Sequence, residues 1–191
     1  MPEPADGTDE QLMAALARGS TDAFNQLFAR YGQPLFGFFR RRVADPAQAE
    51  ELTQETWIAL LRAAPRYQAA ALFRTYLYAI ALNLLRAHRR KAAFRAMFHA
   101  TAEHEPSTRN TLDAEIVLRD ALRKLDRIDR EILLLREFEQ LTYTEIAELL
   151  DLRLNTVRSR LFRARTALRD LLGAPAPKPS ALKVTEEQER A

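Results

Sequence analysis

The sequence predicts an all-α protein built as two small helical units joined by a polar segment. Five glycines in 191 residues and few β-branched runs leave little material for strands and tight turns. Apolar residues recur at spacings of three and four along most of the chain, and no stretch shows a convincing period of two. The helical period fails in one internal segment, Ala96 to about Thr111, where Thr101, Glu103, His104, Glu105, Pro106, Ser107 and Thr108 follow one another. A hydrophobic content of 47% supports one moderate core or two small ones, and this break chooses two. The expected division is therefore 1–95 as the first unit, 96–111 as linker, 112–172 as the second unit and 173–191 as a tail.

Composition narrows the function classes. No run of about 18 apolar residues is present, and the segment Met1 to Glu10 is acidic and carries proline, so neither membrane insertion nor a signal peptide is expected and the cytoplasm is the expected location. Zero cysteines remove disulfides and thiolate ligands, and His88, His99 and His104 are too scattered for a metal cluster. A protein without metal or cofactor is expected. The net charge of +3 conceals segregation: Arg86 to Arg95 holds five Lys or Arg and no acid, and Arg153 to Arg169 holds six Arg and no acid. Local basic faces of this kind suit nucleic acid.

In the first unit, Asp45-Pro46 is a cap-and-proline start for a helix whose face carries Glu50, Glu51 and Glu55. A second helix begins near Phe73, with Leu77, Ile80, Ala81 and Leu84 on a buried stripe and Asn83, Arg86 and Arg90 opposite. On the same wheel Leu82 falls on the polar, exposed side. A basic face flanked by Tyr67, Tyr76 and Tyr78 suits backbone neutralisation combined with base stacking, as single-stranded DNA requires.

The second unit opens at Leu112, and Asp126 is the expected cap of its next helix. Thr142-Tyr143-Thr144-Glu145 forms a capping box ahead of Ile146, Leu149 and Leu150. A tight connection, Asp151 to Leu154, leads to Asn155 as expected N-cap of a longer helix ending near Leu172, before Gly173. The pair reads as a helix-turn-helix. At about 100° per residue, Leu161, Ala164, Leu168, Leu171 and Leu172 fall within about 60° of Val157 and form the expected buried stripe. Asn155, Arg158, Ser159, Phe162 and Arg163 cluster around the opposite pole, while Arg160 and Arg165 lie at the stripe's edge, where their heads can pair with acids or phosphates. A solvated helix face usually mixes Glu with Lys. This one has no acid and exposes an aromatic among arginines, which favours DNA contact: Arg to guanine edges, Ser and Asn to bases or phosphates, Phe to a thymine methyl. The run Ala174-Pro175-Ala176-Pro177-Lys178-Pro179 stops the helix, and the tail beyond is expected to be largely disordered.

The stretch Glu131 to Phe138, then Leu141 to Leu150, Thr156 to Leu161 and Arg163-Ala164-Arg165, resembles region 4 of extracytoplasmic-function (ECF) sigma factors of bacterial RNA polymerase. The run Ala49 to Trp57 resembles region 2.2 of that family, and Phe73 to Asn83 with Arg86, Arg89 and Arg90 resembles region 2.3. The likeness covers about Asp9 to Leu172 apart from the linker. It implies minus-thirty-five recognition by Asn155, Thr156, Arg158, Ser159, Phe162 and Arg163. It implies minus-ten recognition by Tyr76, Asn83, Arg86, Arg89 and Arg90, with Pro65 to Leu72 near a flipped-out base. Polymerase contacts fall on Glu51, Gln54 and Glu55. The implied partners are core polymerase, through its β′ clamp and β flap, promoter DNA and an anti-sigma factor. Three positions depart from the family pattern: Leu82 where Arg is common, Ala87 where Asp is common and Asp126 where Pro is frequent.

The implied mechanism is non-catalytic, with two weak DNA contacts gaining from their linkage and the polymerase supplying the chemistry. The linker, with Glu103 and Glu105, is placed by the same analogy on the path of the RNA. The rival binding reading is a stand-alone helix-turn-helix regulator that holds an operator as a dimer; it would bind its duplex without polymerase. A carboxylate or histidine enzyme is the other rival, and no nucleophile motif, phosphate loop or ligand cluster supports it.

Overall fold

The computed structural model describes residues 7–67, 72–98 and 113–173. The tail and most of the expected linker, from residue 99, lie outside the described residues, as does part of the Pro65 to Leu72 loop. The described residues hold helices and connections only: α1 (Asp9–Ala17), α2 (Thr21–Arg40), α3 (Pro46–Ala63), a 3-10 turn (Ala64–Arg66), α4 (Phe73–Phe98), α5 (Asp113–Lys124), α6 (Arg127–Glu137), α7 (Tyr143–Leu150) and α8 (Leu154–Leu171). Helix α4 thus continues three residues past Arg95, into the segment read as linker.

Local chemistry sets the helix ends. Thr8 and Gln11 form a capping box on α1, and Gly19, at φ +91°, closes the turn into α2, where Ser20 accepts from the Ala23 N–H. Asp45 caps α3 at the Ala47 N–H with Pro46 in the first turn. Asp126 accepts from the N–H groups of Ile128 and Asp129, so it caps α6 as expected. Thr142 and Glu145 complete the box on α7.

The first half packs α1 to α4 around Met13, Leu27, Leu35, Phe38, Phe39, Leu60, Phe73 and Leu77, all essentially without solvent contact. Trp57 lies against Phe24 and Phe28. The second half packs α6, α7 and α8 around Ile132, Leu135, Leu141, Ile146, Val157 and Leu161. The buried apolar side chains of both halves join into one continuous cluster.

Where the halves meet, charge is buried with them. The Arg42 side chain is 1% exposed; its Nε donates to Glu131 at 2.7 Å and its Nη1 to Glu139 at 2.9 Å and to the Phe38 carbonyl at 2.9 Å. Its guanidinium also lies 3.8 Å over the Phe38 ring. Arg41 reaches the same Glu139 oxygen at 3.3 Å and stacks on Phe138. Arg74 grips Glu145 with two bonds, 2.8 and 2.7 Å, and the Thr75 hydroxyl donates to that carboxylate at 2.8 Å.

Candidate nucleic-acid interface

Helix α7 leads into α8 through Asp151, which is left-handed at φ 55°, ψ 52°. Aspartate tolerates that conformation better than most non-glycine residues. Helix α8 then starts two residues earlier than the sequence reading placed it, with its cap at Arg153 and its first residue at Leu154. Arg153 occupies the N-cap position without a side-chain cap bond, and Asn155 lies inside the first turn. Asn155 is therefore not the cap. Its amide is exposed instead, beside a shallow hollow lined by Arg153, Leu154, Thr156 and Ser159.

The exposed side of α8 brings together Asn155, Arg158, Ser159, Phe162 and Arg163, with Thr156 half-buried at its margin. Phe162 is 67% exposed, a large apolar ring left in water between arginines. The arginines sort into two groups. Arg160 donates to Asp129 at 2.7 Å and pairs with Asp126 at 3.4 Å, and Arg165 bonds Glu137 at 3.0 and 2.8 Å, so both heads pair with acids of α6 and its cap. Arg158 has no ion pair among the described residues, and Arg163 comes only within 4.0 Å of Asp129. Those two cations face outward. Val157, Leu161 and Ala164 are buried and Leu168 is half-buried, as the wheel places them, but Leu171 and Leu172 are exposed: nothing among the described residues covers the last turn.

Helix α4 carries three faces rather than two. Leu77 and Ala81 are fully buried, with Ile80 and Leu84 partly so, on the side of the first half's core. Asn83, Arg86 and Arg90 are exposed, as is Ala87. Leu82, expected on the exposed side, is only 3% exposed. The physical reason is a second buried stripe, Thr75, Tyr78, Leu82, Leu85 and Arg89, which lies within about 40° of one line on the wheel and faces the second half. Tyr78 belongs to it and is buried against Phe38, so it does not flank the basic face. Burial, with Glu139 the next contributor, pushes the Tyr78 hydroxyl up to about 12. Arg89 also departs from the face of Asn83, Arg86 and Arg90. It is half-buried, donates to the Arg42 carbonyl at 3.5 Å, and has its pKa lowered, burial being the main cause and Glu131 opposing it. Tyr76 is half-buried with its ring 5.1 Å from that of Tyr67.

On α3, Glu51, Gln54 and Glu55 are exposed on one face. Ile58, 46% exposed, sits on the same face one to two turns on, and the sequence reading missed it. Its spacing of seven from Glu51 was the available signal.

The chain matches the family model for Sigma-70 region 2 over residues 27–95 and that for Sigma-70 region 4 over residues 116–168. It is 34% identical over 176 residues to the RNA polymerase sigma-H factor of Pseudomonas aeruginosa, a match covering 84% of this chain and 91% of that protein. At 30% identity it matches the ECF RNA polymerase sigma-E factor of Haemophilus influenzae over 83% of this chain and 92% of that one. The chain belongs to the ECF family of RNA polymerase sigma factors. Among sigma factors of known structure it is similar to CnrH, solved in complex with the cytosolic domain of CnrY, at a TM-score of 0.68 and 29% identity, covering 88% of this chain and 99% of that one. As a sigma factor the protein directs promoter-specific initiation by RNA polymerase, and sigma factors as a family are not enzymes. The region 2 match takes in the acidic face of α3 and the basic part of α4, and the region 4 match takes in the helix-turn-helix. Among the described residues no helix is long and apolar enough to cross a membrane.

Proposed function

We propose that the sigma factor divides its work among three surfaces. Glu51, Gln54 and Glu55, with Ile58 among them, meet the β′ clamp of the polymerase; the carboxylates steer toward a basic surface and the isoleucine contributes apolar area. Asn83, Arg86, Arg90 and Tyr76 hold the minus-ten strand, with Arg89 joining them when its shelter is removed. Asn155, Thr156, Arg158, Ser159, Phe162 and Arg163 enter the minus-thirty-five major groove, while the second half touches the β flap. The units 1–95 and 112–172 act as the two DNA-binding modules, and 96–111 as the tether that raises the effective concentration of one for the other. The protein works in the cytoplasm, needs no cofactor and catalyses nothing itself. An anti-sigma partner is part of this reading, because a sigma factor of similar fold is known in complex with an anti-sigma factor.

The observation that carries the proposal is the sorting of arginines on α8: Arg160 and Arg165 are paired with acids, whereas Arg158 and Arg163 stand outward around an exposed Phe162. Transcription by core polymerase with the wild-type chain or with Arg158→Ala and Arg163→Ala, read by sequencing transcript 5′ ends, tests it. Defined start sites that weaken or shift preference in the variants support the assignment; start sites and yields identical to wild type would remove it.

A further inference from the structure

The function proposed above leaves the sequence beyond Gly173 unused, and it leaves the outer side of α8 bare until DNA arrives. Phe162 is 67% exposed there, between the outward cations Arg158 and Arg163. The acids of α6 do not cover this side: Asp129 is engaged by Arg160 at 2.7 Å and Glu137 by Arg165 at 2.8 Å, and Asp129 stands 4.0 Å from Arg163. Outward cations attract the phosphates of any duplex, because that attraction is independent of sequence. A cover for such a face needs carboxylates and a little apolar surface, and it must be weak enough to yield to a promoter.

The sequence that follows α8 has this composition. Leu182 and Val184 flank Lys183, and Glu186, Glu187 and Glu189 put three carboxylates in four positions ahead of Arg190. Between them and the helix lies Ala174 to Pro179, with prolines at 175, 177 and 179. Gly173, left-handed at φ +64°, turns the chain off the helix axis. At about 3.1 Å per residue for a proline-rich spacer, the path from Gly173 to Leu182 can extend about 28 Å. Phe162 lies only about 17 Å back along α8, and Arg158 about 22 Å, at about 1.5 Å per residue. The spacer therefore has the length to double back around the helix end. The order of the groups agrees as well: from the helix end inward Phe162 precedes Arg158, as Leu182 and Val184 precede the glutamates.

We propose that Leu182 to Glu189 fold back on the outer side of α8 in the free sigma factor, the carboxylates standing in for DNA phosphates, and compete with duplex for that face. The inference rests on the assignment of this face to DNA. Exposed ion pairs are individually weak and screened by salt, so the contact depends on its tether, which holds the segment at an effective concentration on the order of millimolar. Coverage in half to nine-tenths of the chains weakens apparent duplex affinity about two- to tenfold. The factor is the same for every duplex, so random sites lose most of their occupancy while a site bound far tighter than the working concentration stays filled. The tail thus acts as a tethered competitor that keeps the recognition helix off non-promoter DNA.

The chain has no native cysteine, so Gln188→Cys carries a single nitroxide on the full protein. Paramagnetic broadening of amide signals should fall on Arg158 to Arg163. It should fade in salt of about 1 M, where the Debye length is about 3 Å, and when Glu186, Glu187 and Glu189 are all changed to Gln. With helical content unchanged, the unlabelled triple Gln variant should bind a random duplex about two- to tenfold more tightly than wild type at low salt, the gap closing at high salt. Broadening confined to Leu171 and Leu172, or centred on the basic stretch Arg86 to Arg95 of α4, would overturn the proposal. So would equal duplex affinity in wild type and the triple variant. Arg158→Ala and Arg163→Ala separate the two readings: duplex binding like wild type in both would count against the assignment of the face to DNA, and the broadening pattern would still decide whether the tail lies on it.

Discussion

Glu145 and Thr142 hold each other at the start of α7: the Thr142 N–H and hydroxyl both donate to Glu145 Oε2, at 2.8 and 2.7 Å, and the Glu145 N–H returns a bond to the Thr142 hydroxyl at 3.2 Å. The same carboxylate accepts from Arg74 and Thr75 on α4. One side chain thus caps the helix-turn-helix and ties it to the other half. Burial pushes its pKa up, but Arg74, Thr142 and Thr75 outweigh burial and bring it from the ordinary 4.5 to about 2. Because the folded value is depressed, the stabilisation is present above about 4.5 and drains away as pH falls toward about 2. Urea unfolding across that window should show wild type losing more stability than Glu145→Gln. Parallel losses in the two proteins would remove Glu145 from this role.

Arg160→Ala and Arg165→Ala should lower thermal stability modestly, by about 0.5 to 1 kcal/mol for a partly exposed pair, with little effect on DNA. Arg158→Ala and Arg163→Ala should do the reverse: near-wild-type melting, with about 1 to 3 kcal/mol lost in promoter binding by the holoenzyme wherever a base edge is read. A base contact shows as relaxed preference at one position of the element, and a phosphate contact as a flatter salt dependence for all sequences. Should Arg160→Ala alone lose DNA, the exposed face of α8 is misassigned.

Leu82→Arg should destabilise the protein by about 2 to 4 kcal/mol, since it places a cation where the present side chain is buried. This reverses the expectation drawn from the wheel alone. Urea unfolding midpoints measure it, and a midpoint equal to wild type would show that Leu82 is not buried in solution.

Reversing Glu51 and Gln54 to Lys should weaken binding to core polymerase, and Ile58→Ala should weaken it further while leaving helical content unchanged, because all three side chains are exposed on α3. A core-binding titration in which the triple variant matches wild type would contradict the assignment of this face.

What the sequence made legible was local. The Thr142 box, the Asp45 and Asp126 caps and the buried face through Val157, Leu161 and Ala164 all depend on neighbours within a turn or two, and each is where the pattern placed it. The misreadings have tertiary causes. Leu82 and Tyr78 looked exposed because a helical wheel finds the stripe facing one core, and α4 faces two. Asn155 looked like a cap because its residue type favours that position, but the extended backbone falls at Arg153, at φ −70°, ψ 141°. The Arg42–Glu139 pair joins positions 97 apart in sequence, and no local pattern announces it.

The most direct test of the account is initiation by core polymerase on genomic DNA with and without the purified chain, read as transcript 5′ ends and paired with binding of the chain alone to the resulting promoters. The account predicts a discrete set of start sites that share minus-ten and minus-thirty-five sequences and appear only with the chain, together with weak duplex binding in the absence of core polymerase. Tight binding of the chain alone to a palindromic duplex, with no new start sites in the presence of core polymerase, would contradict it.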